Sequence, residues 1–401
     1  MWHKRNDHLI PDGIELEAIL SLDQDGDGLG NGEDRDIDGD GLKNSRDKDI
    51  DGDGIENRFD PSPYDWREQG YNPFAVLAFL SWRHDWNEFK YGEEELKEAV
   101  RLLKEMGCSF VRMDFYWNDL EPQKGVFDFE KYDYIVDLLS KNNIRILGLF
   151  NYSANWAAEE WNTPPYQDED FVNYCQKVVS RYKNKVKYWE VWNEPDSKFY
   201  WKPQDGMKRY AQLLKKVYPA VKEIDPSCKV LLGGLTQGGY YALKNLYRQG
   251  AGDYFDIVNF HPFVDPFNRE SMYRVKACYR NIKKLIKKYD RKDKKIWFTE
   301  AGCPGVKEST RANTWWEGMS PVESQQAGFV NSLYSEIISL PDVEKIFWAF
   351  FRDNKEHFKS GVDYLGLIRW DFSKKPSFYR YQKVYLNWRK NEFKELYKLN
   401  K

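Results

Sequence analysis

Val186-Lys187-Tyr188-Trp189-Glu190-Val191-Trp192-Asn193-Glu194-Pro195 is a short apolar run that stops abruptly at a carboxylate. The same form returns in Ile296-Trp297-Phe298-Thr299-Glu300-Ala301-Gly302. An apolar run of this length, closed by turn-forming residues, reads as a strand buried on both faces. Six more such runs occupy residues 74–82, 110–117, 144–150, 230–235, 257–260 and 343–351, which makes eight. Stretches with helical periodicity lie between them at 93–106, 132–141, 171–182, 207–224, 272–289 and 322–340, and residues 378–399 close the series. Buried strands alternating with amphipathic helices predict an α/β fold, specifically a (β/α)8 TIM barrel. No glycine-rich phosphate loop follows the first run, which argues against an open dinucleotide-binding sheet.

The N-terminal sixty residues obey a different pattern. From Asp23 to Asp36 to Asp49 the sequence repeats with a strict step of 13 residues. The copies supply Asp23, Asp25, Asp27, Asn31 and Asp34; then Asp36, Asp38, Asp40, Asn44 and Asp47; then Asp49, Asp51, Asp53, Asn57 and Asp60. Carboxylates at alternate positions of a tight, glycine-containing loop converge on one point, the oxygen-rich surrounding that Ca2+ prefers. Without a cation they would repel one another, and the segment has few apolar residues to hold it folded. The expected organisation is a Ca2+-binding repeat segment at residues 1–65, followed by one barrel domain at 66–401. Pro11-Asp12-Gly13-Ile14-Glu15 looks like the tail of a further, degenerate copy.

Charge follows the same division. The net charge is −3, yet residues 1–60 carry −11, so the remainder sums to +8. The lysines behind that excess, such as Lys283, Lys284, Lys287 and Lys288, are scattered over helix faces, as a solvated surface requires and a nucleic-acid groove does not. No apolar run is long enough to span a membrane. The five cysteines are widely spaced without a CxxC pair and read as isolated thiols, and no secretion signal opens the chain. Aromatic residues reach 17%, with 16 Trp and 27 Tyr. Their faces suit either core packing or stacking on the apolar faces of sugar rings.

In a barrel of this kind the residues just past each strand's C-terminal end line the active site. Trp192-Asn193-Glu194-Pro195 and Thr299-Glu300-Ala301-Gly302 resemble the strand-four and strand-seven signatures of glycoside hydrolase clan A. Tyr188-Trp189-Glu190 and Phe199-Tyr200-Trp201 are most similar to family 39 and its relatives, with family 5 close by. The resemblance implies a retaining β-glycosidase acting on an oligo- or polysaccharide, with no cofactor for catalysis. Glu194 would be the acid/base and Glu300 the nucleophile, their carboxyl groups about 5–5.5 Å apart. Glu300's charge would help to raise the Glu194 pKa. Asn193 would bind the sugar 2-hydroxyl, Arg112 would orient the nucleophile, and His261 would lie in the site. Several relatives carry a tyrosine where this chain has Phe263, which leaves the nucleophile's support open. Trp348 would floor the cleaved sugar's subsite. Trp117, Tyr152 and Trp156 are candidate stacking platforms, and Trp315-Trp316 could reach over the cleft. Residues 23–60 resemble thrombospondin type 3 repeats, close to EF-hand and dockerin loops, which implies a Ca2+-loaded spacer in an extracellular or cell-surface protein. A non-catalytic carbohydrate-binding barrel and a transglycosylase are the alternatives, and the oligomeric state is open.

Overall fold

The computed structural model describes residues 25, 27–39, 41–51, 57, 72–82, 91–290, 293–311, 318–355 and 357–399. Asp23, Asp40, Asp53, Asp60, the 11–15 segment and Trp315-Trp316 lie outside the described residues. The chain divides into two compact units, the larger comprising Pro73–Leu139 and Ile144–Leu386.

The larger unit is a closed barrel of parallel strands in chain order: β1 (Phe74–Leu77), β2 (Phe110–Tyr116), β3 (Arg145–Asn151), β4 (Tyr188–Val191), β5 (Lys229–Leu232), β6 (Ile257–Phe260), β7 (Lys295–Ala301) and β8 (Val343–Ala349). β8 returns to pair with β1, Phe74 opposite Ile346, so no sheet edge is left unpaired. All eight expected runs are strands. The helices are α1 (Glu93–Glu105), a short α2 (Trp117–Leu120), α3 (Glu130–Ser140), α4 (Asp168–Tyr182), α5 (Lys208–Ile224), α6 (Gly239–Arg248), α7 (Ser271–Tyr289), α8 (Glu323–Ile337) and α9 (Pro376–Leu399). Two of these, α2 and α6, were not expected. α2 is one turn long, and α6 is framed by Gly238-Gly239 and Gly250, which interrupt the periodicity that marks a helix.

Every strand contributes one side chain to the barrel's floor. Ala75, Phe110, Leu147, Leu231, Ile257, Trp297 and Phe347 form a buried cluster, completed by Tyr188. Phe110 sits at its centre, 5.3 Å from Tyr188 and 5.4 Å from Trp297, with Lys345 over its ring at 5.0 Å. Because side chains alternate along a strand, the next interior layer lies two residues further on. That layer includes Arg112, Glu190, Asn259 and Thr299, all buried. The apolar floor thus seals one end and supports a polar layer beneath the barrel mouth. β7 departs from regular pairing, with a register shift against β8 between Phe298 and Ala301. A bulge of this kind re-aims side chains, and here it lets both Thr299 and Glu300 face inward.

In the N-terminal segment the structure repeats with the sequence. The N–H of Asp36 donates to Asp34 Oδ1, and 13 residues on that of Asp49 donates to Asp47 Oδ1, both at 2.8 Å. Asn44 accepts from the Ile37 N–H at 3.0 Å and donates to the Asp34 carbonyl at 2.9 Å. Asn57 does the same with Ile50 and Asp47, at 2.8 and 2.9 Å. Asn44 and Asn57, expected as Ca2+ ligands, therefore use both ends of their amides to staple the loop backbone. Gly28 and Gly41 occupy equivalent positions at φ 95° and 93°, a backbone conformation that L side chains rarely adopt. All five cysteines are free thiols, and no helix among the described residues is long and apolar enough to cross a membrane.

Phe110→Ala should cost about 3–5 kcal/mol, because it empties the centre of the floor. Thermal denaturation followed by circular dichroism checks this; a melting temperature unchanged from wild type would contradict the assigned core.

Candidate active site

Arg112 rises from the floor on β2, and its guanidinium makes four hydrogen bonds. Nε and Nη2 donate to the two oxygens of Glu190 at 2.7 and 2.9 Å, Nη1 donates to Glu300 Oε1 at 2.7 Å, and Nη2 also donates to Asn193 Oδ1 at 2.8 Å. Arg112 is 1% exposed and Glu190 0%. A buried charge of either sign is costly alone, so this fork-on-fork pairing makes the cluster tenable. Glu190 also accepts from the Gly234 N–H at 2.9 Å. The sequence quoted Glu190 only as part of a family pattern. A carboxylate inside an apolar strand needs a buried cation, and that signal could have identified it.

Glu194 is presented by a backbone that L residues rarely adopt. Trp192 and Glu194 have φ of 67° and 44°, a left-handed geometry that costs of order 1–3 kcal/mol each. Packing fixes it: the Trp192 indole donates to the Tyr200 carbonyl at 2.8 Å and meets Trp201 edge-on at 4.9 Å. Glu194 Oε1 then lies 2.8 Å from His261 Nδ1. His261 fits there because Gly234 has no side chain; a Cβ would come within 2.0 Å of the imidazole.

The hydrogen-bond directions behind His261 assign the proton. The Thr299 N–H can only donate, so the Asn259 atom facing it at 3.3 Å is the amide oxygen. The Thr299 hydroxyl donates to that same oxygen at 2.8 Å and so accepts from His261 Nε2 at 3.0 Å. Burial holds the imidazole below the usual histidine range and therefore neutral. A neutral ring protonated at Nε2 offers only a lone pair at Nδ1. Glu194 must be the donor, in its acid form.

Glu194 has its pKa pushed up to about 8, first by burial, then by the Asp196 charge and, more weakly, by Glu190. Repulsion between Glu194 and Glu300 is mutual, so the Glu300 charge expected from the sequence acts beside those of Asp196 and Glu190. Burial also raises Glu300, while the fixed charge of Arg112 pulls it back. With Arg112 on one carboxyl and an imidazole lone pair on the other, the proton belongs on Glu194 and the charge on Glu300. The two side chains are 15% and 14% exposed, enough to meet a ligand. Oxygens of Glu194 and Glu300 and a ring nitrogen of His261 all lie within 4.8 Å of one another. That triad has the makings of a metal site, but both imidazole nitrogens are already used and Arg112 opposes a further cation.

Five expected residues converge here: Arg112, Asn193, Glu194, His261 and Glu300. Tyr152 joins them, its phenol near Asn193 and Arg112. Its ring runs nearly parallel to Tyr200 at 6.1 Å, and the Tyr200 phenol lies in the field of both carboxylates. With Phe263 in the tyrosine's place, Arg112 provides the hydrogen bond to Glu300. Three expected platforms are elsewhere. Trp348 is fully buried, donates to the Leu365 carbonyl at 2.9 Å and meets Phe329 of α8, so it faces the helices. Trp117 is fully buried against Tyr174. Trp156 donates to the Glu121 carbonyl, and Lys124 sits 5.6 Å over its ring.

The sequence pattern of the cellulase family (glycosyl hydrolase family 5) matches residues 69–335. The anti-sigma-I factor RsgI6 of Acetivibrio thermocellus is 24% identical over 248 residues, covering 59% of this chain and 28% of that protein. Beta-galactosidase BgaB of Geobacillus sp. is 28% identical over 146 residues, covering 30% of this chain and 22% of its own. The chain thus spans about a quarter of the length of these curated relatives. A family 39 glycoside hydrolase from Bacteroides cellulosilyticus superposes with a TM-score of 0.64 at 24% identity, covering 78% of this chain and 63% of that one.

The pH dependence of kcat/KM should have an alkaline limb near pH 8, where Glu194 loses its proton, and an acid limb above the ordinary carboxylate value, where Glu300 gains one. Thr299→Val frees His261 to adopt the other tautomer and donate to Glu194. The alkaline limb should then move down by about 0.5–1 pH unit, the worth of one hydrogen bond; a limb that stays in place would refute the proton assignment.

Proposed function

The chain belongs to the cellulase family, glycosyl hydrolase family 5 of clan A, and on that premise we propose that it hydrolyses β-linked oligo- or polysaccharides with retention of configuration. One observation carries this reading: two carboxylates with oxygens within 4.8 Å of each other and opposite partners, one held by a guanidinium and one by an imidazole lone pair. Retaining enzymes keep their carboxyl groups about 5–5.5 Å apart, whereas inverting ones leave room for a water between them.

Glu300 attacks the anomeric carbon, and its aligned, ionised oxygen forms the glycosyl-enzyme bond as the leaving oxygen departs. Glu194 supplies the proton to that oxygen. In the second half-reaction Glu194, now ionised beside an uncharged imidazole, takes a proton from water, which attacks the anomeric carbon and frees Glu300. The Asn193 oxygen is held by Arg112, which turns the amide N–H groups toward the cleft and a sugar 2-hydroxyl.

The test is a panel of aryl β-glycosides and β-linked polysaccharides, with wild type beside Glu194→Gln and Glu300→Gln. Each variant should lose roughly three or more orders of magnitude on polysaccharide, and proton NMR should find the β-anomer first. An α-anomer appearing first would overturn retention. A relative named as an anti-sigma factor and not as a hydrolase, matched over 59% of the chain, favours one second reading, a barrel of this family without turnover that keeps its carbohydrate cleft. Equal signal from all three proteins with binding retained would support it.

The acidic repeats within residues 1–65 are, on this reading, a Ca2+-bound spacer ahead of the catalytic 66–401 domain in an extracellular protein. Oxygens of Asp25, Asp27 and Asp34 lie within 4.8 Å of one another. Asp34 Oδ2, Asp36 Oδ1 and Asp47 Oδ2 are buried with no hydrogen-bond donor, as cation ligands would be. Bound Ca2+ would neutralise the clustered carboxylates. Calorimetric titration should detect Ca2+ binding that Asp34→Asn with Asp47→Asn weakens at least ten-fold, with hydrolysis unchanged; loss of hydrolysis on chelation would refute the spacer role.

A further inference from the structure

Beyond the catalytic carboxylates, a row of rings runs outward from the barrel mouth between the loops that follow β3 and β4. Tyr200 lies nearest the carboxylates, whose charges both reach its phenol. Trp161 follows, its ring 4.8 Å edge-on from Tyr152 and 6.3 Å from Tyr200. Phe199 is the outermost, 5.9 Å from Trp161. Trp161 is 41% exposed and Phe199 63%, so both present apolar surface to water.

The backbone that carries these rings is pinned, although the rings themselves are uncovered. Asn162 Nδ2 donates to the Phe199 carbonyl at 2.7 Å, and the Lys202 N–H donates to the Asn162 carbonyl at 3.0 Å, tying the two loops together. The Trp161 carbonyl accepts from the Ser153 N–H at 3.0 Å, the Tyr200 carbonyl from the Trp192 indole at 2.8 Å, and Lys202 pairs with Glu160. Rings carried on a pinned backbone lose less freedom when a flat apolar partner lands on them. A pyranose offers such a face, with its hydroxyls at the rim, and the row is continuous with the catalytic cleft.

Resting on the glycosidase reading above, we infer that Trp161 and Phe199 form the subsite for the sugar units on the leaving-group side of the cleaved bond. The side follows from chemistry. Glu194 has to touch the leaving oxygen, and Phe199 and Tyr200 belong to the loop that Glu194 begins. Trp161 is joined to that loop through Asn162.

The experiment uses wild type, Trp161→Ala, Phe199→Ala and Phe199→Trp on two substrates. One is the oligosaccharide series cleaved in the panel above; the other is the β-glycosyl fluoride of the same glycone, whose leaving group is a single atom. Each alanine variant should lose about ten-fold in kcat/KM on the oligosaccharides, the scale of one stacking contact. It should stay within about two-fold of wild type on the fluoride, and Phe199→Trp should retain oligosaccharide activity. Equal losses on both substrates, or none on the oligosaccharides, would overturn the subsite. Unchanged fluoride turnover also certifies that each variant is folded. If wild type cleaves nothing in the panel, the glycosidase reading has failed by itself. Affinity electrophoresis in β-glucan, xylan and mannan gels then decides the platform: retardation lost in Trp161→Ala supports it, and mobility shared by wild type and variant refutes it.

Discussion

A guanidinium sealed inside a barrel has to be compensated by acceptors and negative charge, and the site depends on how Arg112 meets that demand. Glu190 takes two of its donors, Glu300 a third, and Asn193 shares the fourth contact. Removing one partner would leave an uncompensated buried charge, a loss of about 3–5 kcal/mol. The same constraint therefore fixes the position of Glu300, the rotamer of Asn193 and the spacing between β2, β4 and β7. The eight-residue apolar floor below keeps water from the guanidinium, and this dryness strengthens each contact.

The two catalytic candidates are chemically identical side chains given different roles by their surroundings. Burial pushes both pKa values upward, so burial does not distinguish them. Their partners do. Glu300 faces a fixed positive charge, while Glu194 faces an imidazole whose proton the Asn259–Thr299 pair holds on the far nitrogen. The left-handed backbone at Trp192 and Glu194 brings the acid to this partner, and interlocking indoles on the β4 loop hold it there.

The aromatic residues that dominate the composition are divided between structure and surface. Trp117, Trp189, Trp192, Trp201, Trp297 and Trp348 are among the largest fully buried side chains. Trp161 and Phe199, by contrast, face water beside the loop that follows β4. Composition cannot separate the two groups, since both use the same ring. The N-terminal segment follows another logic, in which paired Asp and Asn side chains close each loop and repeat at every thirteenth residue.

Much of the fold was legible in the chain. Each buried parallel strand carries its own continuous apolar signal, and the alternation with helices needs no long-range information. Glu194 and Glu300 were legible for a related reason, since a carboxylate at the end of a buried strand is conspicuous. What the sequence could not decide was direction. In Phe347-Trp348-Ala349 every residue is apolar, so nothing local says which faces the interior; barrel closure turned Phe347 inward and Trp348 toward α8. The register shift in β7, which aims Thr299 and Glu300 into one cavity, arises from pairing with β8. The bond between Arg112 and Glu300 and that between Glu194 and His261 join residues far apart in the chain. Sequence by itself determined the strands and marked the two candidate carboxylates, because burial leaves a local imprint. Only the closed barrel decided which carboxylate holds the proton, because that depends on distances between strands that no single strand encodes.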